Sequence, residues 1–516
     1  MKRVFLINFS SKMLIEVADK LKAAGVEVAY WQGYRDDFDH LDRTKYPGTV
    51  FHHAFDALKN IPPAGVSVDA FPPLDAERIS RHYEDGWQAL SMMGRADATG
   101  ISFVEKRNYY YEYLKFWQGM LLCFKPDAIL FSAIPHSATS FALYTLAKEL
   151  HIKTVMINQL TVETRALLMD DYKTDSLQLK EESERRRGGR TRIEDLSPDL
   201  QAYYAKHQGQ ADATPAYKKL YAKGKPPFAL PRPRAVMKHI RQMTLVRSGK
   251  SYLSMLFTKR KLGYIGPSVY GWRHKLTILK WQRMTARIER EYKMLEQPPD
   301  FDAKFIYVPL AFQPEQTTCP RGDVFDDQML MLDILASSLP PGWFLYVKEH
   351  ASQWYPQSVE SHQYRYRGFY ERIAKLPGAR LIPAGTSTFE LISHAVAVAT
   401  VTGTAGWEAL LRRKPVLLFG YIWYMYCAGV FRVSDVSSSR AALQRIAGGF
   451  RVEEQEVLNF LGALDVVSLK VRDYKTRTFK EDALNTFDDN VRVLSQRLLQ
   501  SLGLVNNHDH PTLSHQ

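Results

Sequence analysis

The sequence contains few cysteines and no long apolar run. Its three cysteines, Cys123, Cys319 and Cys427, are odd in number and far apart in a chain of 516 residues, so neither a disulfide framework nor a zinc site is predicted. No segment approaches the roughly 18 consecutive apolar residues that a membrane-spanning helix needs. The short apolar run at the start predicts a first β-strand and not a signal peptide. These absences favour a globular protein of the reducing cytoplasm.

Acidic residues are absent from one long segment. Between Ala213 and Ile288 there are eighteen Lys or Arg residues and no Asp or Glu, and the whole chain has a net charge of +14. Hydrophobic residues are interleaved among these cations, which fits an interfacial site for anionic lipid headgroups or for an anionic, lipid-linked glycan. A solvated basic face is the alternative, and no recognisable nucleic-acid module accompanies the patch. We therefore predict peripheral attachment to the cytoplasmic face of the inner membrane through residues 213–288, and no nucleic-acid partner.

A chain of this length requires more than one hydrophobic core. Strand-like and helix-like segments alternate over residues 1–169 and again over residues 301–480, which predicts two α/β domains with parallel sheets. Residues 170–300 between them read as a charged loop and a basic, partly helical insertion or linker. A helix is predicted over residues 481–504 and a disordered tail over residues 505–516. The predicted fold class is therefore α/β, with two Rossmann-like domains that face a cleft.

The segment Ala399–Gly420 has the most informative local pattern. An apolar run ends in the small-residue turn TGTAG, a helix-compatible stretch follows, and a second buried strand comes after it. A strand that leads through such a turn into a helix directs several backbone N–H groups and a positive dipole end at one point, which suits a phosphate. We expect Thr402, Gly403 and Thr404 to contact a nucleotide, and Glu408 to accept hydrogen bonds from a ribose. An ordinary βαβ turn with small residues for packing is the alternative.

Two more polar clusters follow predicted strands of the same domain. VPLAFQPE, which contains Gln313, ends one strand, and YVKEH, which contains Lys348 and His350, ends another. Ligands of open α/β sheets bind outside the carboxyl ends of the strands, so these clusters should converge with the turn. Residues two apart on an extended segment face the same side, so Lys348 and His350 could bind a phosphate together. A structural histidine beside a surface lysine is the alternative.

In the N-terminal half, the sequence SAIPH ends a buried strand and would face the same cleft. Its histidine, His136, could contact an acceptor or act as a base, or it could simply be a helix-entry residue. The acidic pairs Asp326-Asp327 and Asp170-Asp171 read as a helix start and as loop charge in preference to metal ligands. We therefore predict no metal site and no cofactor.

These motifs follow one another in an order that is typical of one protein family. The chain contains VPL-x-x-Q-P-E, then LYVKEH, then a helix-strand unit that ends in TGTAGWEALLRRKPV. In this order it resembles the bacterial capsule polysaccharide biosynthesis family, over roughly Lys304 to Gly429 and more weakly over Pro126–Gln159. That family contains the β-Kdo transferases of capsule and lipopolysaccharide assembly. The resemblance therefore implies a GT-B fold and a nucleotide-sugar donor such as CMP-Kdo.

The sequence departs from the family pattern at two positions. In the Kdo transferases a His-Pro pair helps to hold the nucleotide; His350 matches the histidine, but Ala351 replaces the proline. The related Gln-x-x-x-Asp motif places a catalytic carboxylate four residues after a glutamine. Gln313 aligns with that glutamine, Thr317 occupies the Asp position, and Glu315 is the nearest carboxylate. The departures imply a branch of the family with a different donor or catalytic residue.

Sugar transfer needs a base or a nucleophile near the acceptor, and positive charge or N–H dipoles at the leaving phosphate. Glu315 is the candidate catalytic carboxylate, and His136 is the second candidate catalytic residue. The predicted nucleotide-sugar-binding residues are Gln313, Lys348, His350, Thr402, Gly403, Thr404 and Glu408.

We therefore predict a metal-independent GT-B glycosyltransferase of capsular or surface polysaccharide biosynthesis. Its partners would be a nucleotide sugar donor and a lipid-linked or polysaccharide acceptor. A nucleotide-sugar epimerase of the same fold is one alternative, because it would use the same phosphate turn without a polymer acceptor. A non-catalytic capsule assembly or export factor is the other, and Thr317 and Ala351 keep this alternative open. The pattern leaves the donor sugar, the linkage and the stereochemical outcome open.

Overall fold

The computed structural model describes residues 1–96, 101–162, 165–208, 257–261, 268–313, 318–354, 364–471 and 486–505. Four predictions fall wholly or partly outside the described residues. These are the catalytic role of Glu315, most of the basic segment 213–288, the first five residues of the helix predicted over 481–504, and the tail from residue 506 onward.

The N-terminal domain is a sheet with helices on both faces. Its strands are β1 (Arg3–Ile7), β2 (Glu27–Gly33), β3 (Val50–His53), β4 (Ala128–Phe131), β5 (Lys153–Gln159) and β6 (Arg165–Met169). The helices are α1 (Lys12–Ala23), α2 (Asp36–Asp39), α3 (Ala54–Ala57), α4 (Ala76–Arg81), α5 (Tyr83–Ala96), α6 (Phe103–Phe124), α7 (Ala138–Glu149), α8 (Leu177–Arg186) and α9 (Pro198–Gln208). The strand order is β6-β5-β4-β1-β2-β3, in which β6 is antiparallel and the others are parallel.

A hairpin of β7 (Lys259–Lys261) and β8 (Ser268–Tyr270) leads into the long helix α10 (Gly271–Leu295). One side of α10 packs against the C-terminal domain, where Ile288 and Tyr292 are buried in its core. The Tyr292 hydroxyl donates a hydrogen bond to the Ile382 carbonyl. This helix is therefore part of the folded molecule and not a free linker.

The C-terminal domain is a second parallel sheet between helices. Its strands are β9 (Phe305–Pro309), β10 (Phe344–Lys348), β11 (Ala379–Ile382), β12 (Ala397–Thr400), β13 (Val416–Leu418) and β14 (Val430–Arg432). The helices are α11 (Gln328–Ser338), α12 (Phe369–Ala374), α13 (Thr388–His394), α14 (Thr404–Leu411), α15 (Val436–Ala447) and α16 (Glu454–Val467). All six strands are parallel in the order β11-β10-β9-β12-β13-β14, which is the doubly wound Rossmann order. Two Rossmann-like sheets are thus present, and the predicted GT-B-like α/β fold class is confirmed.

The chain returns to the N-terminal domain after α16. Strand β15 (Leu469–Lys470) pairs antiparallel with β6, and α17 (Phe487–Ser501) packs against α1. The hydrophobic core that contains α1 also includes Leu494 and Leu498. Residues from both ends of the sequence therefore build one domain.

Two helices occupy the segment that the charged composition predicted to be a loop. Helices α8 and α9 lie within residues 170–208, and Leu179 and Leu200 are fully buried in a core shared with the C-terminal domain. The Tyr203 hydroxyl accepts a hydrogen bond from Trp407 Nε1 at 3.1 Å. The charged side chains face outward. The charged composition of the segment therefore did not indicate the few apolar residues that dock these helices.

No described helix is both long enough and apolar enough to cross a membrane.

Candidate functional site

Hydroxyl groups hold the turn between β12 and α14. The Gly403 backbone N–H donates to Thr400 Oγ1 at 3.0 Å, and the Tyr424 hydroxyl donates to the Gly403 carbonyl. Helix α14 begins at Thr404, with Gly403 as its N-cap and without a capping side chain. The first N–H groups of such a helix are available to an anion. The predicted strand, turn and helix are confirmed, and their role in nucleotide binding stays a prediction.

Packing requires two glycines around this turn. A Cβ on Gly406 would lie 2.4 Å from the Tyr424 hydroxyl and 3.1 Å from Thr400 Cγ2. A Cβ on Gly420 would lie 2.7 Å from Thr402 Cγ2. Distances below 3.0 Å leave no room for a methyl group, so the small residues are needed for close packing whether or not a ligand binds. Thr402 itself is buried, whereas Gly403 and Thr404 are partly exposed.

Glu408 lies one turn into α14 and is partly exposed. Burial raises the pKa of Tyr307, and the Glu408 charge adds to this effect. The same two causes raise the pKa of Tyr424, whose hydroxyl holds the Gly403 carbonyl. The carboxylate of Glu408 is therefore close to both strand β9 and the turn, which is where the sequence predicted a ribose contact.

Lys348, the last residue of β10, is buried against the start of α13. Its Nζ donates to the Thr386 carbonyl at 2.8 Å and to Thr388 Oγ1 at 2.7 Å. The same Nζ lies 5.7 Å from the centre of the Tyr307 ring. A cation is thus fixed at the carboxyl edge of the sheet by groups from three elements.

His350 has different neighbours from Lys348. The His350 Nδ1 accepts a hydrogen bond from the Ser352 N–H at 3.2 Å, and the ring centroid lies 5.8 Å from that of Phe312. Strand β10 ends at Lys348, and a 3₁₀ helix begins at Ala351. The alternation of an extended strand therefore does not continue to His350, which is why the two side chains have different surroundings.

Sequence reasoning missed a buried charge network between these two residues. The Glu349 carboxylate accepts hydrogen bonds from Arg365 Nε at 2.7 Å and from the Tyr370 hydroxyl at 2.6 Å. It also accepts the His350 N–H at 2.7 Å, while the Glu349 N–H donates to the Tyr292 hydroxyl at 3.1 Å. The signal for this network in the sequence was the glutamate within the LYVKEH motif. This network fixes the backbone from which His350 projects.

Gln313 is buried in a network of amide groups. Its N–H donates to Gln353 Oε1 at 3.1 Å, and its carbonyl accepts from Gln353 Nε2 at 3.0 Å. Its own Nε2 donates to Thr318 Oγ1 at 2.8 Å. These contacts tie the loop after β9 to the loop after β10. Gln313 is consequently well placed to position the loop after β9.

His136 follows β4 at the carboxyl edge of the N-terminal sheet and is partly exposed. Its Nδ1 lies 2.7 Å from the Ile134 carbonyl. Since a carbonyl only accepts, Nδ1 carries the proton in the neutral ring and Nε2 has the lone pair. This tautomer suits a general base.

Glu315 and Thr317 lie outside the described residues, so the structure gives no account of the candidate catalytic carboxylate. Of the acidic pairs, Asp327 caps α11 by accepting the Met329 N–H at 3.0 Å, as predicted for a helix start. Asp171 lies 3.1 Å from Lys148 Nζ. Among the described residues, no group of three or more His, Cys, Asp or Glu side chains could hold a metal ion.

Comparison with known proteins gives one family and several solved structures. The UDP-GlcNAc 2-epimerase from Methanocaldococcus jannaschii is 10% identical over 97% of this chain and 99% of that chain, with a TM-score of 0.23. The Thermosulfurimonas dismutans KpsC, a beta Kdo 2,7 transferase, is 18% identical over 45% of this chain and 67% of that chain, with a TM-score of 0.22. The alpha,alpha-trehalose-phosphate synthase (UDP-forming) from Burkholderia vietnamiensis is 9% identical over 98% of this chain and 99% of that chain, with a TM-score of 0.27.

The two sheets show the fold, and the family comparison adds a match over part of the chain. No curated protein matches the chain. Residues 313–444 match the family described as "Capsule polysaccharide biosynthesis protein". That segment contains Gln313, Lys348, His350 and the turn from Thr402 to Glu408, the same motifs on which the resemblance in sequence was based. The predicted resemblance to the capsule polysaccharide biosynthesis family is therefore confirmed over residues 313–444.

Proposed function

We propose that the protein is a glycosyltransferase of capsular or surface polysaccharide biosynthesis. One observation carries the proposal: the family segment forms the carboxyl edge of a six-stranded parallel sheet, where a buried lysine and an uncapped helix N-terminus occur together. Carboxyl edges of such sheets are where nucleotide ligands bind. A second Rossmann-like domain would supply the acceptor side. The donor is a nucleotide sugar, and CMP-Kdo is one candidate.

In the proposed reaction an acceptor hydroxyl attacks the anomeric carbon of the donor sugar. A glycosidic C–O bond forms, the bond from the anomeric carbon to the phosphate oxygen breaks, and the nucleotide leaves with its phosphate. The hydroxyl proton passes to a base, for which Glu315 and His136 are the candidates. Lys348 and the N–H groups at Thr402 and Thr404 would stabilise charge on the leaving phosphate. The Gly403 N–H would hold the turn instead, because it donates to Thr400 Oγ1.

The remaining donor-side residues would have supporting roles. Glu408 would accept hydrogen bonds from the ribose, His350 would contact the nucleotide, and Gln313 would hold the loop that leads to Glu315. The amide network of Gln313 and the charge network beneath His350 support positioning roles for both, because each restricts a loop at the sheet edge.

The proposal is tested by a donor and acceptor screen. Purified protein is incubated with CMP-sugars and UDP-sugars, with and without a lipid-linked acceptor, and nucleotide release is followed. We expect acceptor-dependent release that is lost in Glu315→Gln and reduced in His350→Ala and His136→Ala, whereas Glu390→Gln at an exposed position retains it. Conversion of a donor without any acceptor would indicate an epimerase instead. Absence of donor binding in a thermal-shift assay would contradict both enzyme functions and leave the assembly-factor alternative.

Peripheral attachment to the inner membrane is part of the same proposal. The described end of the basic segment supports it, because one face of α10 has an exposed apolar half followed by a cationic half. The apolar residues are Trp272, Leu276 and Leu279, which are 40%, 57% and 39% exposed. Exposed arginines at positions 283, 287 and 290 continue the same face at helical spacing. Apolar insertion beside cations that bind anionic headgroups is how amphipathic helices attach to membranes.

Liposome sedimentation tests this attachment. We expect binding to vesicles of phosphatidylglycerol and cardiolipin and little binding to phosphatidylcholine vesicles. Binding should weaken in Leu276→Ser/Leu279→Ser and in Arg283→Gln/Arg287→Gln, since each surface cation contributes about 1 kcal/mol. Arg185→Gln, an exposed arginine on α8, is the control. Failure to bind anionic vesicles at both low and physiological salt would rule out the attachment without affecting the donor screen.

A further inference from the structure

A buried arginine beside the β12–α14 turn has a donor nitrogen that no described protein group satisfies. Arg321 lies in the loop between β9 and α11, and only 4% of it is exposed. Its Nη2 lies 3.0 Å from Asp175 Oδ2, but its Nε has no hydrogen-bond partner among the residues that the structure describes. Buried polar groups in proteins almost always have partners, because an unpaired buried donor is costly. A ligand that supplies the missing acceptor would remove that cost.

The backbone of Arg321 touches the predicted nucleotide turn. Its carbonyl accepts the Tyr421 N–H at 2.8 Å. A Cβ on Gly420 would lie 2.7 Å from the Arg321 carbonyl oxygen and 2.7 Å from Thr402 Cγ2. The Arg321 carbonyl oxygen and the Thr402 side chain therefore both lie next to Gly420, at the place where a Cβ would be.

A second guanidinium approaches the same turn from strand β14. Arg432 Nη1 donates to the Gly420 carbonyl, and its Cζ lies 4.7 Å from the centre of the Tyr421 ring. Burial raises the pKa of the Tyr424 hydroxyl, and the charges of Arg321 and Arg432 both oppose that rise. Since this hydroxyl holds the Gly403 carbonyl, both cations act on the turn from which α14 begins.

The partner of Arg321 comes from the other domain. Asp175 follows β6 and is 1% exposed, and the carbonyl of its neighbour Thr174 accepts the Tyr426 hydroxyl. The carboxylate occupies only one part of the planar guanidinium, and the Nε–H remains for a second oxygen acceptor. A planar group with five donors suits such a shared arrangement, because it can bind a carboxylate and a phosphate at once.

We propose that Arg321 is a phosphate-binding residue of the donor site, held by Asp175 so that its Nε–H meets a phosphate oxygen of a nucleotide seated on the β12–α14 turn. Arg432 supplies the second positive charge beside the same phosphate. The proposal rests on the proposed function, since it requires that a nucleotide bind at this turn. It adds to that function a specific phosphate ligand and a contribution from the N-terminal domain.

The experiment compares nucleotides with their nucleosides by isothermal titration calorimetry. CMP and UDP have the phosphate that Arg321 would contact, whereas cytidine and uridine do not. The variant Arg321→Lys keeps a positive charge opposite Asp175 but lacks the Nε–H. We expect it to bind the better of the two nucleotides about tenfold to a hundredfold more weakly, because a charged hydrogen bond is lost, and to bind the nucleoside unchanged.

Two other variants separate phosphate binding from a purely structural tie between the domains. Asp175→Asn removes the competing anion but keeps an amide oxygen that can accept the Nη2–H and hold the guanidinium in place, so we expect nucleotide affinity equal to or above that of the wild type. Arg372→Lys, at an exposed arginine paired with Asp333, should bind nucleotide like the wild type. If Arg321→Lys does not fold, the double variant Arg321→Gln/Asp175→Asn is used in its place, because it leaves neither charge of the pair buried. We expect it to bind the nucleotide about tenfold to a hundredfold more weakly than Asp175→Asn does.

The outcomes are distinct. If the wild type binds nucleotide and Arg321→Lys binds it equally well, the phosphate role of Arg321 is wrong and the proposed function stands. If Asp175→Asn loses affinity as Arg321→Lys does, the pair is a structural tie and the phosphate role is again wrong. If the wild type binds neither CMP nor UDP, the proposed function fails and this inference fails with it.

Discussion

Gly406 is the residue of the turn with the least space around it. An added Cβ would lie 2.4 Å from the hydroxyl of Tyr424, which is itself fully buried. Two opposite effects act at this position. Alanine is favoured over glycine in a helix by about 1 kcal/mol, whereas overpacking of a filled core costs about 1–3 kcal/mol. Because the clash involves a buried hydroxyl that holds the Gly403 carbonyl, we expect overpacking to dominate.

We predict that Gly406→Ala lowers the free energy of unfolding by about 1–2 kcal/mol and weakens nucleotide binding. Urea denaturation followed by circular dichroism measures the first effect, and calorimetry the second. Gly385→Ala is the matched control, because a Cβ there would meet no atom within 4 Å. The double variant Gly406→Ala/Tyr424→Phe should recover part of the loss, since it removes the hydroxyl. Equal stability of Gly406→Ala and the wild type would contradict the steric argument.

At the scale of elements, a carboxylate of helix α10 caps a helix of the C-terminal domain. Glu291 accepts the backbone N–H groups of Gly368 at 2.9 Å, Tyr370 at 2.9 Å and Glu371 at 3.3 Å. These groups begin helix α12, so Glu291 is a capping group supplied by another helix. Tyr292, the next residue, contacts the backbone of Glu349. The inner side of α10 is thereby fixed, while Trp272, Leu276 and Leu279 on its outer face stay exposed.

We predict that Glu291→Ala costs about 1–3 kcal/mol of folding stability, because three buried or partly buried N–H groups lose their acceptor. The control is Glu289→Ala on the same helix, where the carboxylate pairs with Lys293 at the surface at 2.7 Å. That change should cost no more than about 0.5 kcal/mol. Chemical denaturation measures the free energy of unfolding of both variants. A similar loss in the two would show that the capping contacts are unimportant.

At the scale of the whole molecule, an arginine of the N-terminal sheet holds helices from two parts of the chain. Arg165 on β6 is fully buried, and its guanidinium bonds Asp199 of α9 at 2.8 Å and Asp465 of α16 at 2.8 Å. Burial alone would raise the pKa of Asp199, but the hydrogen bonds and charge of Arg165 outweigh it and lower the pKa to about 2. The native state therefore binds this proton less readily than the unfolded chain does.

A lowered folded pKa gives stability that is present above the ordinary pKa of about 4 and is lost as the pH falls toward 2. We predict that the wild type loses about 2 kcal/mol over this interval through Asp199 alone. In Asp199→Asn the decline should be shallower by that amount, and the variant should already be less stable at pH 7. Denaturant titrations at pH 4, 3 and 2 measure the slopes, with Asp488→Asn at an exposed position as the control. Parallel pH profiles of wild type and Asp199→Asn would refute the assignment.

The contact between the two domains has the opposite pH dependence. Ser91 of α5 donates to Asp326 Oδ2 at 2.9 Å, and burial raises the pKa of Asp326 to about 6. A carboxyl group with a raised folded pKa favours the folded state most when protonated, so stability should fall as the pH rises from about 4 to 6. We predict that Asp326→Asn is about 1–2 kcal/mol more stable than the wild type at pH 8 and equal to it at pH 4. Asp333→Asn, which is exposed, should show no such difference. A gain that is independent of pH would refute the assignment.

Some of the fold and part of the candidate site could be predicted from local patterns. Buried strands such as Val4–Ile7 and Val416–Leu418 are short apolar runs, and the turn before Thr404 consists of residues small enough for close packing. Such features depend on neighbours within a few positions, so the sequence displays them directly. The order of the motifs also predicted the family resemblance, because residues 313–444 contain every candidate site residue except the N-terminal His136.

The sequence by itself therefore determined two Rossmann-like sheets, the strand-turn-helix unit and the resemblance to the capsule polysaccharide biosynthesis family. Only the tertiary structure decided that α8 and α9 dock on the C-terminal domain, that β15 and α17 belong to the N-terminal domain, and that Arg321 meets Asp175. Arg321 and Asp175 are separated by 146 positions, and neither has a local pattern that marks it. Their pairing depends on how two domains pack, and packing is set by the summed contacts of residues distant in sequence, which no short motif records.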